Sequence, residues 1–127
     1  MVSLILLSHS RKIVEGVKEL AEEMAQDVPI FISGGNNEGG LGSSYELTKD
    51  AVEKALGPDG VIILFDLGSS FMTAELVLDE LDEKVRERIK IVKAPLVEGA
   101  VIAAVQISIG SSLEEVEAVL KEIEMIK

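Results

Sequence analysis

Four short aliphatic runs, Val2–Leu7, Ile30–Ser33, Val61–Phe65 and Ile89–Val92, limit what this chain can fold into more than any other feature. They are largely apolar at consecutive positions instead of alternate ones, the pattern of parallel strands covered by helices on both faces. Helical spacing fills the intervals. Ile13, Val14, Val17, Leu20, Ala21 and Met24 lie opposite Lys18, Glu19, Glu22 and Glu23. A second helix is expected to open at Ser43, where Ser43-Ser44-Tyr45-Glu46 has the form of a capping box, and to stop at Gly57-Pro58. A third is expected from about Ser70 to Leu81 with a further turn through Arg88, and a fourth from Val97 to Ile109, ended by Gly110. The last opens at Ser112, with Glu115 three residues on, and runs to Ile126. The β-α-β-α-β-α-β-α-α series predicts an α/β fold: one domain over residues 1–127, with an open, doubly wound, mainly parallel sheet. Right-handed crossovers predict strand order 2-1-3-4, with helices on both faces.

Composition removes several classes of function. With 23 acidic and 12 basic residues the net charge is −11, which disfavours nucleic acid and anionic membrane surfaces. Aromatics are only 3% of the chain, so stacking on bases is not expected. Cysteine is absent and histidine occurs once, which argues against disulfides, thiol catalysis and a zinc site. No cation precedes the first apolar run, and the longest apolar tract, Ala100 to Ile109, is too short to span a bilayer. A cytoplasmic protein is expected.

In a sheet of this order, ligands bind beyond the carboxyl ends of the strands, where the strand order reverses. That point lies between strands one and three. Strand one runs into Ser8-His9-Ser10 and strand three into Asp66-Leu67-Gly68-Ser69-Ser70. The only histidine and a carboxylate are thereby predicted to share one crevice, although a solvated or helix-capping histidine is the ordinary alternative. An imidazole becomes a nucleophile when one nitrogen is unprotonated and the other N–H is held by an acceptor. Asp66 is the candidate acceptor; alternatively it caps the helix starting near Ser70. Helix N-termini after Ser10 and after Ser69 would favour a bound anion such as a phosphoryl group. Ser10, Ser69, Ser70 and Thr73 would add hydroxyl donors, with Arg11 and Lys12 nearby.

Other chemistries fit less well. A Ser triad lacks its G-x-S-x-G elbow. The loop Gly34–Gly42 holds five glycines, but Leu41-Gly42 stands where a phosphate-binding Walker loop needs Lys-Ser/Thr. It reads either as a flexible turn or as a mobile wall beside His9 that lets a partner's backbone approach. A receiver domain would need an acidic pair after strand one. A flavodoxin-like ligand module would have only Phe31, Tyr45, Phe65 and Phe71 for stacking.

Taken together, Ser8-His9-Ser10, Gly42-Ser43, Asp66-Leu67-Gly68-Ser69 and Ala94-Pro95-Leu96-Val97-Glu98-Gly99-Ala100 resemble the IIA-like phosphotransferase subunits of phosphoenolpyruvate-dependent dihydroxyacetone kinases, the DhaM family. These form a branch of the mannose-type IIA domains of the sugar phosphotransferase system. The resemblance covers essentially the whole chain. It implies that His9 accepts a phosphoryl group from the phosphocarrier protein HPr and passes it to ADP on the kinase's nucleotide-binding subunit, for use on the dihydroxyacetone-binding subunit. It places Asp66 at the aspartate of the strand-three motif, and Ser10, Arg11, Gly68, Ser69 and Ser70 around the phosphate. Gly40, Leu41, Gly42 and Ser43 become a partner-contact loop. No metal or cofactor is implied on this chain; ADP and magnesium belong to the partner. Mannose IIA relatives usually read Gly-Gly-Ser-Pro after Asp-Leu, whereas Gly68-Ser69-Ser70-Phe71 stands here, which favours the kinase over relay to a sugar transporter. A chain with one histidine cannot pass phosphate along internally, so a separate donor is expected.

Assembly is the last expectation. The fourth helix is apolar nearly all round, and Gly99, Ala100, Ala103 and Ala104 would allow close helix approach. A two-fold homodimer through this helix is expected, with coverage by the final helix as the alternative.

Overall fold

The computed structural model describes residues 1–124. The expected last turn to Ile126 lies outside the described residues. The order is β1 (Ser3–Ser8), α1 (Arg11–Met24), β2 (Ile30–Gly34), α2 (Tyr45–Ala55), β3 (Val61–Phe65), α3 (Gly68–Asp79), α4 (Glu83–Arg86), β4 (Ile89–Ile91), α5 (Leu96–Ser108) and α6 (Leu113–Glu124). The four strands form one parallel sheet in the order β2-β1-β3-β4, as the sequence pattern predicts.

Alternation along the strands divides the core. Leu4 and Leu6 of β1 and Ile62 and Leu64 of β3 face a layer containing Val14, Val17, Ala21, Ala103, Ile107, Val116 and Leu120, from α1, α5 and α6. Ile5, Leu7, Val61 and Ile63 face Ala51, Val52, Ala74 and Val77, from α2 and α3. Every residue of β1 is buried, because this strand lies inside the sheet with helices over both faces. That explains its unbroken aliphatic run.

The helix ends correct several expectations. The expected α2 box gives way to a simple cap one residue on: Ser44 is the N-cap, and its Oγ accepts the N–H of Leu47, which has no side-chain acceptor to reciprocate, at 3.0 Å. Ser43 is unavailable for capping, since its hydroxyl pairs with Thr73 at 3.0 Å. The third helix begins two residues early, at Gly68 behind an extended Leu67, and stops at Asp79. There, tight i→i+3 bonds from Glu80 to Val77 (3.2 Å) and Leu81 to Leu78 (3.0 Å) end the helix, and Glu83–Arg86 forms a separate turn. The α6 box is present as expected: Ser112 N–H donates to Glu115 Oε1 at 2.8 Å, and Glu115 N–H donates to Ser112 Oγ at 3.2 Å. Gly110 ends α5 at φ 91°, with its N–H on the Ile107 carbonyl (3.0 Å) and the Ser111 N–H on Gln106 (3.1 Å). This is the paired Schellman closure, which needs a residue tolerant of the left-handed region.

The largest correction concerns α5. Its small residues do not face outward. Ala100, Ala103 and Ala104 are 0% exposed and Gly99 is also buried, because α5 lies over β1 and β3 between α1 and α6. A methyl group on Gly99 would already stand 3.2 Å from Leu64 Cδ1. The row expected to meet a second copy is thus consumed by the domain's own packing. Ala103→Glu should therefore disrupt the core instead of dividing a dimer, since an unpaired buried carboxylate costs several kcal/mol, about half or more of a small domain's stability. Thermal unfolding checks this; a soluble Ala103→Glu protein with unchanged Tm would contradict the packing described.

Candidate functional site

The sheet register builds the site. Leu7 of β1 pairs with Phe65 of β3, so Ser8 and His9 leave the sheet level with Asp66 and Leu67. A side chain from either strand end can then bridge to the other. Ser8 Oγ donates to Asp66 Oδ2 at 2.7 Å, and the His9 backbone N–H donates to the same oxygen at 3.1 Å. The second carboxylate oxygen, Oδ1, accepts the Leu67 N–H at 2.7 Å and lies 3.2 Å from His9 Nδ1. Ser70 Oγ sits between them, 3.3 Å from Asp66 Oδ1 and 3.3 Å from His9 Nδ1.

These contacts decide the protonation pattern. Burial alone would push the Asp66 carboxyl up. The Ser8 hydroxyl, the His9 amide and ring and the Leu67 amide outweigh it and hold the group below its usual value. An ionised Asp66 is an acceptor only, so Nδ1 carries the proton and donates. In the neutral imidazole this tautomer leaves Nε2 with its lone pair. That nitrogen meets Ser69 Oγ, a hydroxyl able to donate to it. Ser69 belongs to the first turn of α3, so the positive end of that helix stands beside the free nitrogen. The imidazole is only 23% exposed, enough for one edge to reach a partner.

The structure thus brings together His9, Asp66, Ser69 and Ser70, with Gly68 opening α3. Asp66 is not the cap of α3, because Leu67 occupies that position. Ser10 is the extended N-cap of α1 but makes no side-chain cap bond; its N–H donates to Ser8 Oγ at 3.0 Å. Arg11 turns to Glu15 on its own helix (3.1 Å), and Lys12 is exposed. Thr73 is committed elsewhere, donating to the Ser69 carbonyl at 2.9 Å and pairing with Ser43. Hydrogen bonds close the glycine-rich loop on itself beside His9, and Gly42 N–H donates to the His9 carbonyl at 2.9 Å. Leu41, at its tip, is 78% exposed.

Sequence reasoning missed two side chains here. Ser8, just past the apolar run Val2–Leu7, has no role in the sequence reading, yet it links Asp66 to the start of α1. Its polarity at a fully buried strand end was the available signal, since a buried hydroxyl needs a partner. Asn36, which organises the loop, carries no signal in its spacing. Among the described residues, no group of three or more His, Asp or Glu side chains could hold a metal, and no helix is long and apolar enough to cross a membrane.

Comparison with known proteins identifies the family. The family model described as the PTS system fructose IIA component, EIIA-man, matches residues 3–117. The chain is 40% identical over 124 residues to the phosphoryl donor subunit DhaM of PEP-dependent dihydroxyacetone kinase 2 of Listeria innocua, covering 97% of each chain. It is 30% identical to the phosphotransferase subunit DhaM of the PTS-dependent dihydroxyacetone kinase of Lactococcus lactis, covering 94% of this chain and 93% of that one. A crystal structure of EF1359, a protein of unknown function, superposes with a TM-score of 0.86 at 32% identity, covering 95% and 93% of the two chains. These matches lead to one assignment: the chain belongs to the mannose-type IIA family and, within it, to the DhaM phosphoryl donor subunits of PEP-dependent dihydroxyacetone kinases.

Proposed function

We propose that His9 accepts a phosphoryl group on Nε2 from phospho-HPr and passes it to ADP held on the nucleotide-binding subunit of dihydroxyacetone kinase. One observation carries this reading: Asp66 engages Nδ1 at 3.2 Å and leaves Nε2 as the nitrogen with a free lone pair. In the first step the Nε2 lone pair attacks phosphorus. The N–P bond of the donor phosphohistidine breaks, and its electron pair returns to the donor ring. In the second step a terminal oxygen of ADP attacks, the Nε2–P bond breaks, and ATP leaves with its subunit. The Nδ1 proton stays on the Asp66 side throughout, stabilising the ring while it carries the phosphoryl group.

The remaining groups have defined tasks on this reading. Ser69 releases Nε2 and turns its hydroxyl toward a phosphoryl oxygen, with the first-turn amides of α3 facing the same charge. Ser70 and Ser8 hold Asp66 in place. Phosphoryl transfer is largely positioning and charge stabilisation, so this small set suffices. ADP and magnesium belong to the acceptor subunit, because Asp66 already spends both oxygens on protein donors. A cytoplasmic location goes with HPr as the donor. A two-fold homodimer remains the proposed assembly, through surfaces other than the buried Gly99, Ala100, Ala103 and Ala104.

His9→Ala should fold normally and take no phosphate from phospho-HPr, and wild-type protein should carry acid-labile phosphate on Nε2. Phosphate persisting in His9→Ala, or located on Nδ1 by 15N–31P coupling, would refute this reading. Asp66→Asn should slow transfer by about 10–100-fold, as for other residues that orient a reactive imidazole. Its stability cost has a predictable pH dependence. The folded-state pKa of Asp66 is depressed, so its contribution is present above the ordinary value of 3.8 and is lost as pH falls through the lower folded value. Urea denaturation should show wild type more stable than Asp66→Asn at pH 6, with the gap closing below about pH 4. A gap independent of pH would show that the carboxylate charge is not what Asp66 contributes.

A further inference from the structure

The loop between β2 and α2 is built around one side chain that phosphoryl transfer as described leaves unused. Asn36 Oδ1 accepts the amide protons of Glu38 at 3.0 Å and Gly40 at 2.9 Å, and Asn36 Nδ2 donates to the Leu41 carbonyl at 3.1 Å. The Asn36 backbone N–H donates to the Gly40 carbonyl at 2.9 Å, and its carbonyl accepts the Gly39 N–H at 3.2 Å. One asparagine thus binds both arms of a loop whose four glycines would otherwise sample a wide range of conformations. The arms are close enough that a Cβ on Gly35, at φ 76°, would lie 2.5 Å from the Gly40 carbonyl oxygen.

The two ends of this ring grip the histidine backbone. Gly35 N–H donates to the Ser8 carbonyl at 3.2 Å, and Gly42 N–H donates to the His9 carbonyl at 2.9 Å. A second path reaches the reactive nitrogen. Ser43 pairs with Thr73 at 3.0 Å, Thr73 donates to the Ser69 carbonyl at 2.9 Å, and Ser69 Oγ meets Nε2. Leu41, whose carbonyl Asn36 holds, carries the exposed side chain next to Gly42.

We infer that Asn36 is a positioning residue for phosphoryl transfer. It holds loop 35–42 in the one conformation that fixes the His9 backbone at both carbonyls and presents Leu41 as an apolar contact for the phosphoryl-donating protein. Its kinetic consequence rests on the reading of His9 as phosphoryl acceptor; its geometric consequence does not. Packing alone does not account for the arrangement, since Asn36 and its partners lie in a largely exposed loop outside both core clusters.

The test compares wild type with Asn36→Ala, Asn36→Asp and Leu41→Ala. HPr phosphorylated by enzyme I and phosphoenolpyruvate is the donor, and amide exchange is followed by NMR on the unphosphorylated proteins. In Asn36→Ala the Gly42 amide should exchange about tenfold faster or more, while Leu4 to Leu6 in β1 keep their protection. The same variant should lose about tenfold in kcat, the kind of loss that follows small misplacement of a reacting group. Leu41→Ala should raise KM for phospho-HPr about fivefold or more with kcat unchanged, as for loss of an apolar interface contact. Asn36→Asp keeps the acceptor for the Glu38 and Gly40 amides and should recover kcat to within about threefold of wild type. A merely structural asparagine would lower Tm and leave kcat and KM at wild-type values. That outcome, or unchanged Gly42 exchange in Asn36→Ala, overturns the inference. If wild-type protein takes no phosphate on His9, the function proposed above fails, and the exchange comparison alone decides whether Asn36 positions the His9 backbone.

Discussion

A single carboxylate ties the two central strands together where they leave the sheet. Asp66 receives the Ser8 hydroxyl, the His9 amide, the His9 ring and the Leu67 amide, with Ser70 closing the group. Parallel neighbours such as β1 and β3 are joined by backbone bonds only as far as Leu7 and Phe65. Beyond that point the chains would part, each toward its own helix. A half-buried negative charge is tolerable only when donors surround it, and here the donors come from both strand ends. The same bonds therefore satisfy the charge, set the course of the chain into α1 and α3, and choose which imidazole nitrogen stays free. Remove the charge and all three are weakened together.

The rest of the domain supplies a rigid frame for that tie. Helices cover both faces of β1, and α5 buries its small residues directly over the central strands, so the strand ends cannot shift without disturbing both core layers. The loop after β2 adds a brace from the third side, fastened to the carbonyls of Ser8 and His9. Polar side chains at the site are few: one imidazole, one carboxylate and three hydroxyls. Such economy suits the phosphoryl transfer proposed for His9, which asks chiefly for a ring held still. Exposed Leu41, Leu67 and Met72 lie in the loop and in the opening of α3 beside the site, where a largely acidic surface gives way to apolar contact.

Element type and order were legible because each rests on local periodicity. Consecutive aliphatic residues marked β1 and β3, the Ser112–Glu115 box marked α6, and Gly110 marked the end of α5. Strand order followed from the handedness of crossovers, and with it came the pairing of His9 with Asp66 across nearly the whole first half of the chain. The failures share one cause. Ser43 has the right spacing for a cap but is drawn to Thr73, thirty residues away, so the cap passes to Ser44. The small residues of the fourth helix turn inward onto the central strands, while Val97 and Ile109 stay exposed.

What the sequence alone determined is therefore the set of segments and their handed connection, and through these the position of the one imidazole at the switch point. Hydrophobic period and crossover handedness act over a few residues or at the level of chirality, so they are visible without coordinates. Tertiary structure alone decided how polar groups are shared among distant segments. Ser8 meets Asp66, Arg11 turns away to Glu15, and Asn36 closes the glycine loop. A hydrogen bond needs its partners within about 3 Å and correctly aligned, and no pattern in a linear chain encodes that approach.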